Sequence, residues 1–108
     1  MNSPAEAAYA AGSMQAEATR LMTAAKHGDR EAFDRLVESL RTQAYHVAVG
    51  LVGSREDALE LSQEAFLNTY RARDSYRDGE PFLPWFHRIL RNCCFSFLRH
   101  SRRHMRNR

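Results

Sequence analysis

Apolar residues recur at steps of three and four along residues 30–52, and this period restricts the fold more than any other feature of the chain. Such spacing places apolar side chains on one face of a helix, whereas a half-buried strand needs a period of two, which no stretch of the chain shows. Asp29 and Gly53, at the two ends of the run, are typical of a helix N-cap and of the residue that follows a helix. We therefore expect an all-α fold. The predicted buried stripe of this helix is Phe33, Val37, Leu40, Ala44, Val47 and Leu51.

Three further helices are predicted from caps and helix breakers. A short helix is expected over 15–26, and a third over 55–73, where Ser54 is a typical N-cap residue. A fourth helix is expected over 84–100, because its proline suits a first helical turn. A loop over 74–83 joins the last two helices. The predicted architecture is a compact bundle of about four helices.

The two ends of the chain are expected to differ from the bundle. Residues 1–14 are small, polar and aperiodic, which indicates a disordered arm, or residues added during cloning with Met14 as the natural start. The helical domain is expected to occupy 15–104, followed by a basic tail over 105–108.

Composition bounds the class of protein. The 108 residues, 44% of them hydrophobic, suit one domain with a modest core. The chain has no apolar run of the length that a membrane span needs and no signal peptide, so we expect a cytoplasmic protein without a membrane partner. Cys93 and Cys94 are adjacent, which excludes a disulfide framework.

No catalytic or metal-binding pattern emerges from the sequence. There is no nucleophile–base pair at plausible spacing and no phosphate-binding loop, so we do not expect an enzyme. His100 and His104 have a ligand-like spacing, but no pair of cysteines does, so neither a metal nor another cofactor is expected. Cys93 is expected to be a buried core thiol.

Charge is distributed unevenly along the chain. Residues 1–80 hold 9 Lys or Arg against 13 Asp or Glu, a net charge of −4. Residues 81–108 hold 7 Arg and no acidic residue, a net charge of +7. This asymmetry indicates a polyanionic partner at the C-terminal end and a different partner elsewhere.

The third helix has two unlike faces. Its predicted buried stripe is Ala58, Leu61, Ala65, Phe66 and Tyr70. The opposite face carries acidic and amide side chains with one apolar residue among them, namely Glu56, Glu60, Gln63, Glu64, Leu67 and Arg71. This face is either an ordinary solvated surface or a docking face for a basic, partly apolar partner helix, and Leu67 favours docking.

The fourth helix also has two faces. Its predicted core residues are Phe86, Ile89, Leu90, Cys93 and Phe97. Another side carries an aromatic residue, arginines and an amide, namely Trp85, Arg88, Asn92, Ser96, Arg99 and Arg103. Arginines neutralise phosphates, and an asparagine offers both a donor and an acceptor to a base edge. Cations also suit a helix C-terminus, but the arginines exceed that need, so nucleic-acid binding is favoured.

The loop over 74–83 is expected to contribute to the same surface. Pro81 within it and Pro84 directly after it stiffen it, Gly79 allows it to turn, and Tyr76 lies at its start. We expect Tyr76 and Trp85 to remain near the surface, where a ring can stack on an unstacked base.

Three stretches together resemble a known family. They are "GDREAFDRLVESL", then "SREDALELSQEAFLNTYRARDSYRDGEPFLPWFHRILRN", then a basic tail. In this order and spacing they resemble region 2 of the extracytoplasmic-function (ECF, group 4) sigma factors of bacterial RNA polymerase, over about residues 20–103. The resemblance implies an all-α domain of sigma region 2 type. It also implies a transcription initiation factor that binds the β′ clamp helices of core polymerase and captures the non-template strand of the promoter −10 element as the promoter melts.

The resemblance, together with the patterns of the two helix faces described above, assigns roles to the residues of those faces. The polymerase-binding residues are expected to be Asp57, Glu60, Gln63, Glu64 and Leu67. The DNA-binding residues are expected to be Tyr76, Arg77, Trp85, His87, Arg88, Asn92, Ser96, Arg99 and Arg103. An anti-sigma factor is a further expected partner.

Two departures from the family keep alternatives open. Residues 1–108 contain no counterpart of the helix-turn-helix region that reads the −35 element, which indicates either an excised fragment or a factor that lacks that region. The segment "CCFSF" stands where small apolar residues are usual. The alternative functions are a regulator that binds duplex DNA through the basic helix, and a protein-interaction module held by an anti-sigma partner.

Overall fold

The computed structural model describes the backbone of residues 3–106 and the side chains of residues 3–5 and 12–103. This part of the chain contains four α-helices and no strand, which confirms the predicted all-α bundle. A single 3₁₀ turn, Arg73–Ser75, follows the third helix. The helices are α1 (Pro4–Lys26), α2 (Arg30–Val52), α3 (Arg55–Arg71) and α4 (Phe82–Arg106).

The caps of α2 and α3 follow the sequence. The Asp29 side chain accepts a hydrogen bond from the Ala32 amide at 3.0 Å, and the Ser54 side chain accepts one from the Asp57 amide at 3.2 Å. Gly53 adopts φ 79°, in the left-handed region that glycine reaches without steric cost, and thereby ends α2. The predicted bounds of α2 are therefore confirmed.

Two helices extend beyond their predicted bounds. α1 begins at Pro4, so the chain from Pro4 to Met14 is helical rather than a disordered arm, whereas residues 1 and 2 lie outside the described residues. Proline suits the first helical turn, and the alanines that follow have the highest helix propensity. α4 begins before Pro84 and continues past His100 to Arg106. A proline in the first turn removes no hydrogen bond, and no helix breaker follows it before the tail.

The core lies where α2 contacts the other three helices. Its buried residues on α2 are Ala32, Leu36, Leu40, Ala44 and Ala48. Leu40 and Ala44 were predicted, whereas the other residues of the predicted stripe, Phe33, Val37, Val47 and Leu51, are half-buried and pack against the edge of this core. The reason is that small alanines let the neighbouring helices approach closely, which turns the larger side chains to the edge of the contact.

The core face of α4 also differs from its prediction. The buried residues recur at steps of four, at Phe82, Phe86, Leu90 and Cys94. Cys94 is fully buried whereas Cys93 is only half-buried, so the expectation that Cys93 is the core thiol was wrong. Each step of four residues turns slightly more than one full turn of a helix, so the buried side rotates gradually along α4. After three turns this side contains Cys94 rather than Cys93. No described helix is long and apolar enough to cross a membrane.

Candidate protein and nucleic-acid interfaces

The outer face of α3 is an exposed acidic surface. Glu60, Gln63 and Glu64 are exposed, and Leu67 keeps 49% of its surface accessible. Neither glutamate forms a salt bridge with any described residue. Asp57 is half-buried, and its backbone amide is fixed by the N-cap. The negative charge on this face is therefore available to a cationic partner, and Leu67 offers that partner an apolar contact.

A second exposed leucine was missed by the sequence analysis. Leu59 is 51% exposed and lines a groove of about 690 Å³ between α2 and α3, together with Tyr45 and Phe66. Its position away from the buried stripe of α3 was a signal that could have been recognised. The exposed apolar surface of α3 therefore includes Leu59 as well as Leu67.

The outer face of α4 is an exposed basic surface. The predicted residues Arg88, Asn92, Ser96, Arg99 and Arg103 are all exposed. Within the described part of the chain, none of the arginines of α4 forms a salt bridge. An arginine without a carboxylate partner is free to form a bidentate contact with a phosphate. The charge of this face therefore suits a polyanion, and the exposed amide of Asn92 carries both a hydrogen-bond donor and an acceptor.

The acidic and basic faces meet along one groove. A cleft of about 730 Å³ lies between α3 and α4, with Glu64 on the α3 side and Asn92 and Arg99 on the α4 side. Cys93 also lines this groove, and its Sγ accepts a hydrogen bond from the side-chain Nδ2 of Asn68 at 3.4 Å. Burial raises the pKa of the Cys93 thiol, and the negative charge of Glu64 acts in the same direction. The thiol is therefore a neutral part of the groove wall.

Tyr76 does not lie where the sequence analysis expected it. Its side chain has 0% exposure, and its ring packs edge-on against Trp85 and Phe82, with centroids 5.1 and 6.1 Å away. Its hydroxyl donates a hydrogen bond to the Glu80 carbonyl. Tyr76 follows the 3₁₀ turn directly, and its ring forms an aromatic cluster with Phe82 and Trp85. In this conformation the ring cannot stack on a base, so the expected surface position was wrong.

The other predicted aromatic residue keeps partial access to solvent. Trp85 is half-buried, and its ring closes the aromatic cluster from the outside. Arg77, in the loop, is exposed. Arg77 of the loop and the half-buried Trp85 of α4 are therefore accessible, while Tyr76 packs beneath them.

The predicted DNA contact His87 has an unusual environment. It is half-buried, and its Nε2 atom is shielded from solvent without a hydrogen-bond partner among the described residues. Burial lowers the pKa of His87, and the nearby charge of Arg91 lowers it further. The lowered pKa favours the neutral ring at neutral pH in the free domain.

The described side chains contain no cluster of three histidine, cysteine or acidic residues that could hold a metal ion. The side chain of His104 lies outside the described residues, so the His100–His104 pair has no structural description.

The described part of the chain is thus a helical domain with an exposed acidic face and exposed leucines on α3, and an exposed face of arginines and an asparagine on α4. Residues 36–104 match the family described as Sigma-70 region 2, and the chain belongs to that family.

Three relatives illustrate the similarity. The chain is 34% identical over 84 residues to the ECF RNA polymerase sigma factor SigM of Mycobacterium tuberculosis, covering 78% of this chain and 43% of that protein. It is 32% identical over 84 residues to the RNA polymerase sigma-H factor of Pseudomonas aeruginosa, covering 78% and 44%. It is 33% identical over 78 residues to the ECF RNA polymerase sigma-E factor of Escherichia coli, covering 72% and 40%. The chain thus spans about two-fifths of the length of these relatives. No solved structure matches the chain.

Proposed function

We propose that this chain is the domain of a group 4 ECF sigma factor that binds core RNA polymerase and opens the promoter at its −10 element. The support is the Sigma-70 region 2 membership, the names of the relatives, and the presence of two oppositely charged faces on consecutive helices. In this proposal the protein acts in the bacterial cytoplasm together with the polymerase, and its role is binding rather than catalysis.

The observation that carries the proposal is the lack of internal partners for both sets of charges. Glu64 on α3 and Arg99 on α4 line the same groove, yet neither they nor Glu60 and the other described arginines of α4 form a salt bridge with a described residue. Exposed charges of this kind add little to the stability of the fold, but they steer and orient partners. Each face therefore suits a partner of the opposite charge.

The acidic face is proposed to bind the β′ clamp helices. Glu60, Gln63 and Glu64 supply charged and amide contacts, and Leu67 packs against an apolar position of the partner. Asp57 contributes its charge at the N-terminal turn of α3. A polar face around an apolar centre is the usual organisation of a protein interface.

The basic face is proposed to hold the non-template strand. Arg88, Arg99 and Arg103 bind phosphates, while Asn92 and Ser96 contact base edges. Trp85, which is half-buried, offers the accessible part of its ring to an unstacked base. These contacts favour a single strand over a duplex, because stacking on a protein ring requires a base that has left the helix and contributes about 1–3 kcal/mol per base.

The loop and His87 take supporting roles in the proposal. Arg77 adds a phosphate contact from the exposed side of the loop. Tyr76 acts from the core as an anchor, since its ring is buried. His87, whose pKa is lowered by burial, contributes the shape of its ring to this surface.

The test is retention of core RNA polymerase on the immobilised domain, with and without a short single-stranded promoter DNA that carries a −10 element. The proposal expects retention of polymerase, and it expects the single strand to bind the complex more tightly than the corresponding duplex. Tighter binding of the duplex would indicate a duplex-binding regulator instead. Failure to bind polymerase or any DNA at low salt would indicate a protein-interaction module.

A further inference from the structure

We propose that α1 is a positioning element for DNA capture, because a row of its side chains fixes the conformation of the loop before α4. The row consists of Gln15, Thr19 and Thr23 and is called the polar row below. Its effect on the loop is independent of any function, whereas its consequence for DNA binding depends on the strand-capture role proposed above.

The polar row repeats at steps of four, which places its members along one face of α1. Each member accepts a hydrogen bond from a different backbone amide of the loop or of the start of α4. The Leu83 amide donates to Gln15 at 3.1 Å, the Phe82 amide to Thr19 at 3.0 Å, and the Gly79 amide to Thr23 at 3.2 Å.

The orientation of Thr23 is itself fixed. Its hydroxyl donates to the Thr19 carbonyl at 2.9 Å, within α1. Since the proton is used there, the hydroxyl oxygen presents its lone pairs to the loop. Gly79, whose amide donates to this oxygen, has φ 78°, a backbone conformation that other residues rarely adopt.

α4 depends on these contacts because its own sequence provides no cap. The amides of a first helical turn have no carbonyl acceptor within the helix, and the residue before α4 is Pro81, whose side chain has no acceptor atom. Of the first three residues of α4, Pro84 has no amide proton, and the amides of Phe82 and Leu83 are satisfied by α1. The cap of α4 is thus supplied by another helix.

The C-terminal end of α1 holds the beginning of the loop. Lys26 Nζ donates to the Tyr76 carbonyl at 2.6 Å and lies 3.2 Å from the Asp78 carboxylate. His27 Nε2 lies 2.6 Å from the same carboxylate. Together with the polar row, these contacts fix the loop to α1 at both of its ends.

The functional consequence follows from the position of the DNA-binding residues. Arg77 lies inside the fixed loop, and Trp85 lies in the first turn of the helix that the polar row caps. A preorganised loop loses less conformational freedom when a strand binds. Loss of the polar row should therefore weaken strand capture, while α3 keeps its structure and its polymerase-binding face.

The test removes the hydroxyl acceptors of Thr19 and Thr23 and keeps the size of both side chains, because valine has the same shape as threonine. In Thr19→Val with Thr23→Val, we expect amide hydrogen exchange at Gly79 and Phe82 to accelerate by about fivefold or more, as the loss of a net hydrogen bond predicts. Exchange in α2 and α3 should stay unchanged.

Two control variants accompany the test. Thr19→Ser with Thr23→Ser retains both hydroxyl acceptors, so its Gly79 and Phe82 amides should exchange like those of the wild type. Ser39→Ala is the matched control, because the Ser39 hydroxyl donates to the Leu36 carbonyl within α2. Unchanged exchange at Gly79 and Phe82 in the valine variant would overturn the inference.

A second arm measures strand capture on the complex with core RNA polymerase, with a short single-stranded DNA carrying a −10 element as the probe. The valine variant should bind polymerase normally but release the strand faster, and the serine variant should behave as the wild type. Normal strand binding despite faster exchange would refute the positioning role. If the wild type bound no strand, the proposed function would fail, and hydrogen exchange alone would decide the structural claim. If the valine variant did not fold, Gln15→Leu, read out at the Leu83 amide, would replace it.

Discussion

The rings of Phe66 on α3 and Phe86 on α4 stack with their centroids 4.7 Å apart and an angle of 24° between their planes. Both side chains are buried, and Phe86 also stacks on Phe82 at 5.6 Å. This stack joins the helix that carries the acidic face to the helix that carries the arginines. The relative placement of the two candidate interfaces therefore depends on the core between them.

Replacement of Phe86 by alanine should destabilise the domain strongly. A buried phenylalanine that is truncated leaves a cavity, and the expected cost is about 3–5 kcal/mol in the free energy of unfolding. Phe95→Ala is the control on the same helix, because Phe95 is 42% exposed and should cost far less. Urea denaturation measures both. A similar loss for the two variants would argue against the described packing of α4.

Replacing Cys94 should destabilise the domain more than replacing Cys93, whereas the sequence predicted that Cys93 is the core thiol. Cys94→Ser places a hydroxyl in a fully buried apolar site, where only the helix's own carbonyls are within reach, at a cost of about 1–3 kcal/mol. Cys93→Ser should cost less, because Cys93 is half-buried and the Asn68 amide can donate to the new hydroxyl. Burial raises the pKa of both thiols, so both should react slowly with a thiol reagent in the folded protein. Rapid labelling of Cys94 without unfolding would contradict its position in the core.

His87 should make the domain less stable in mild acid. Burial lowers its pKa below the usual 6.5, so the unfolded chain binds the proton more readily than the folded one. This contribution to stability is present above the unfolded pKa and decreases as the pH falls through that value toward the folded pKa. The pKa of Asp78 is lowered by its hydrogen bonds to His27 and Lys26, and it titrates below 3.8, outside this window. His87→Gln should therefore reduce the pH dependence of stability just below neutrality. A His87 pKa at or above 6.5 in a proton NMR titration would refute this.

Different residues of the basic face should determine the affinity for DNA and the preference for a DNA sequence. Asn92→Ala removes a base-edge contact and should weaken binding to the preferred −10 strand by about 1–3 kcal/mol while flattening its advantage over a scrambled strand. Arg99→Ala removes a phosphate contact, so it should weaken both strands alike and reduce the salt slope by about 0.7. Gln43→Ala, which truncates an exposed amide on α2, should change neither. Equal losses on every sequence for the Asn92 and Arg99 variants would reduce α4 to an electrostatic anchor.

The sequence predicted the elements and the outward faces better than the interior. Caps such as Asp29 and Ser54 are local, so the start of α2 and of α3 could be read directly, and charged side chains at helical spacing mark the exposed faces. The interior depends on partners distant in sequence. Tyr76 is buried because α1, some 50 residues earlier, binds its backbone, and no local pattern shows that contact. A hydrophobic stripe is also broad enough that only packing decides which of two adjacent cysteines faces the core.

The most direct measurement of the central claim, that α3 and α4 contact different partners, is a binding assay on Glu60→Lys with Glu64→Lys. The matched control is Glu31→Lys with Asp34→Lys, which makes the same charge change at exposed positions of α2. The double reversal on α3 should abolish retention of core RNA polymerase, because each new lysine meets a basic partner, while the helical content stays unchanged and binding of the isolated domain to single-stranded DNA is kept. The control should retain polymerase. Wild-type retention of polymerase by the α3 variant, or equal loss in the two variants, would contradict the assignment of this face.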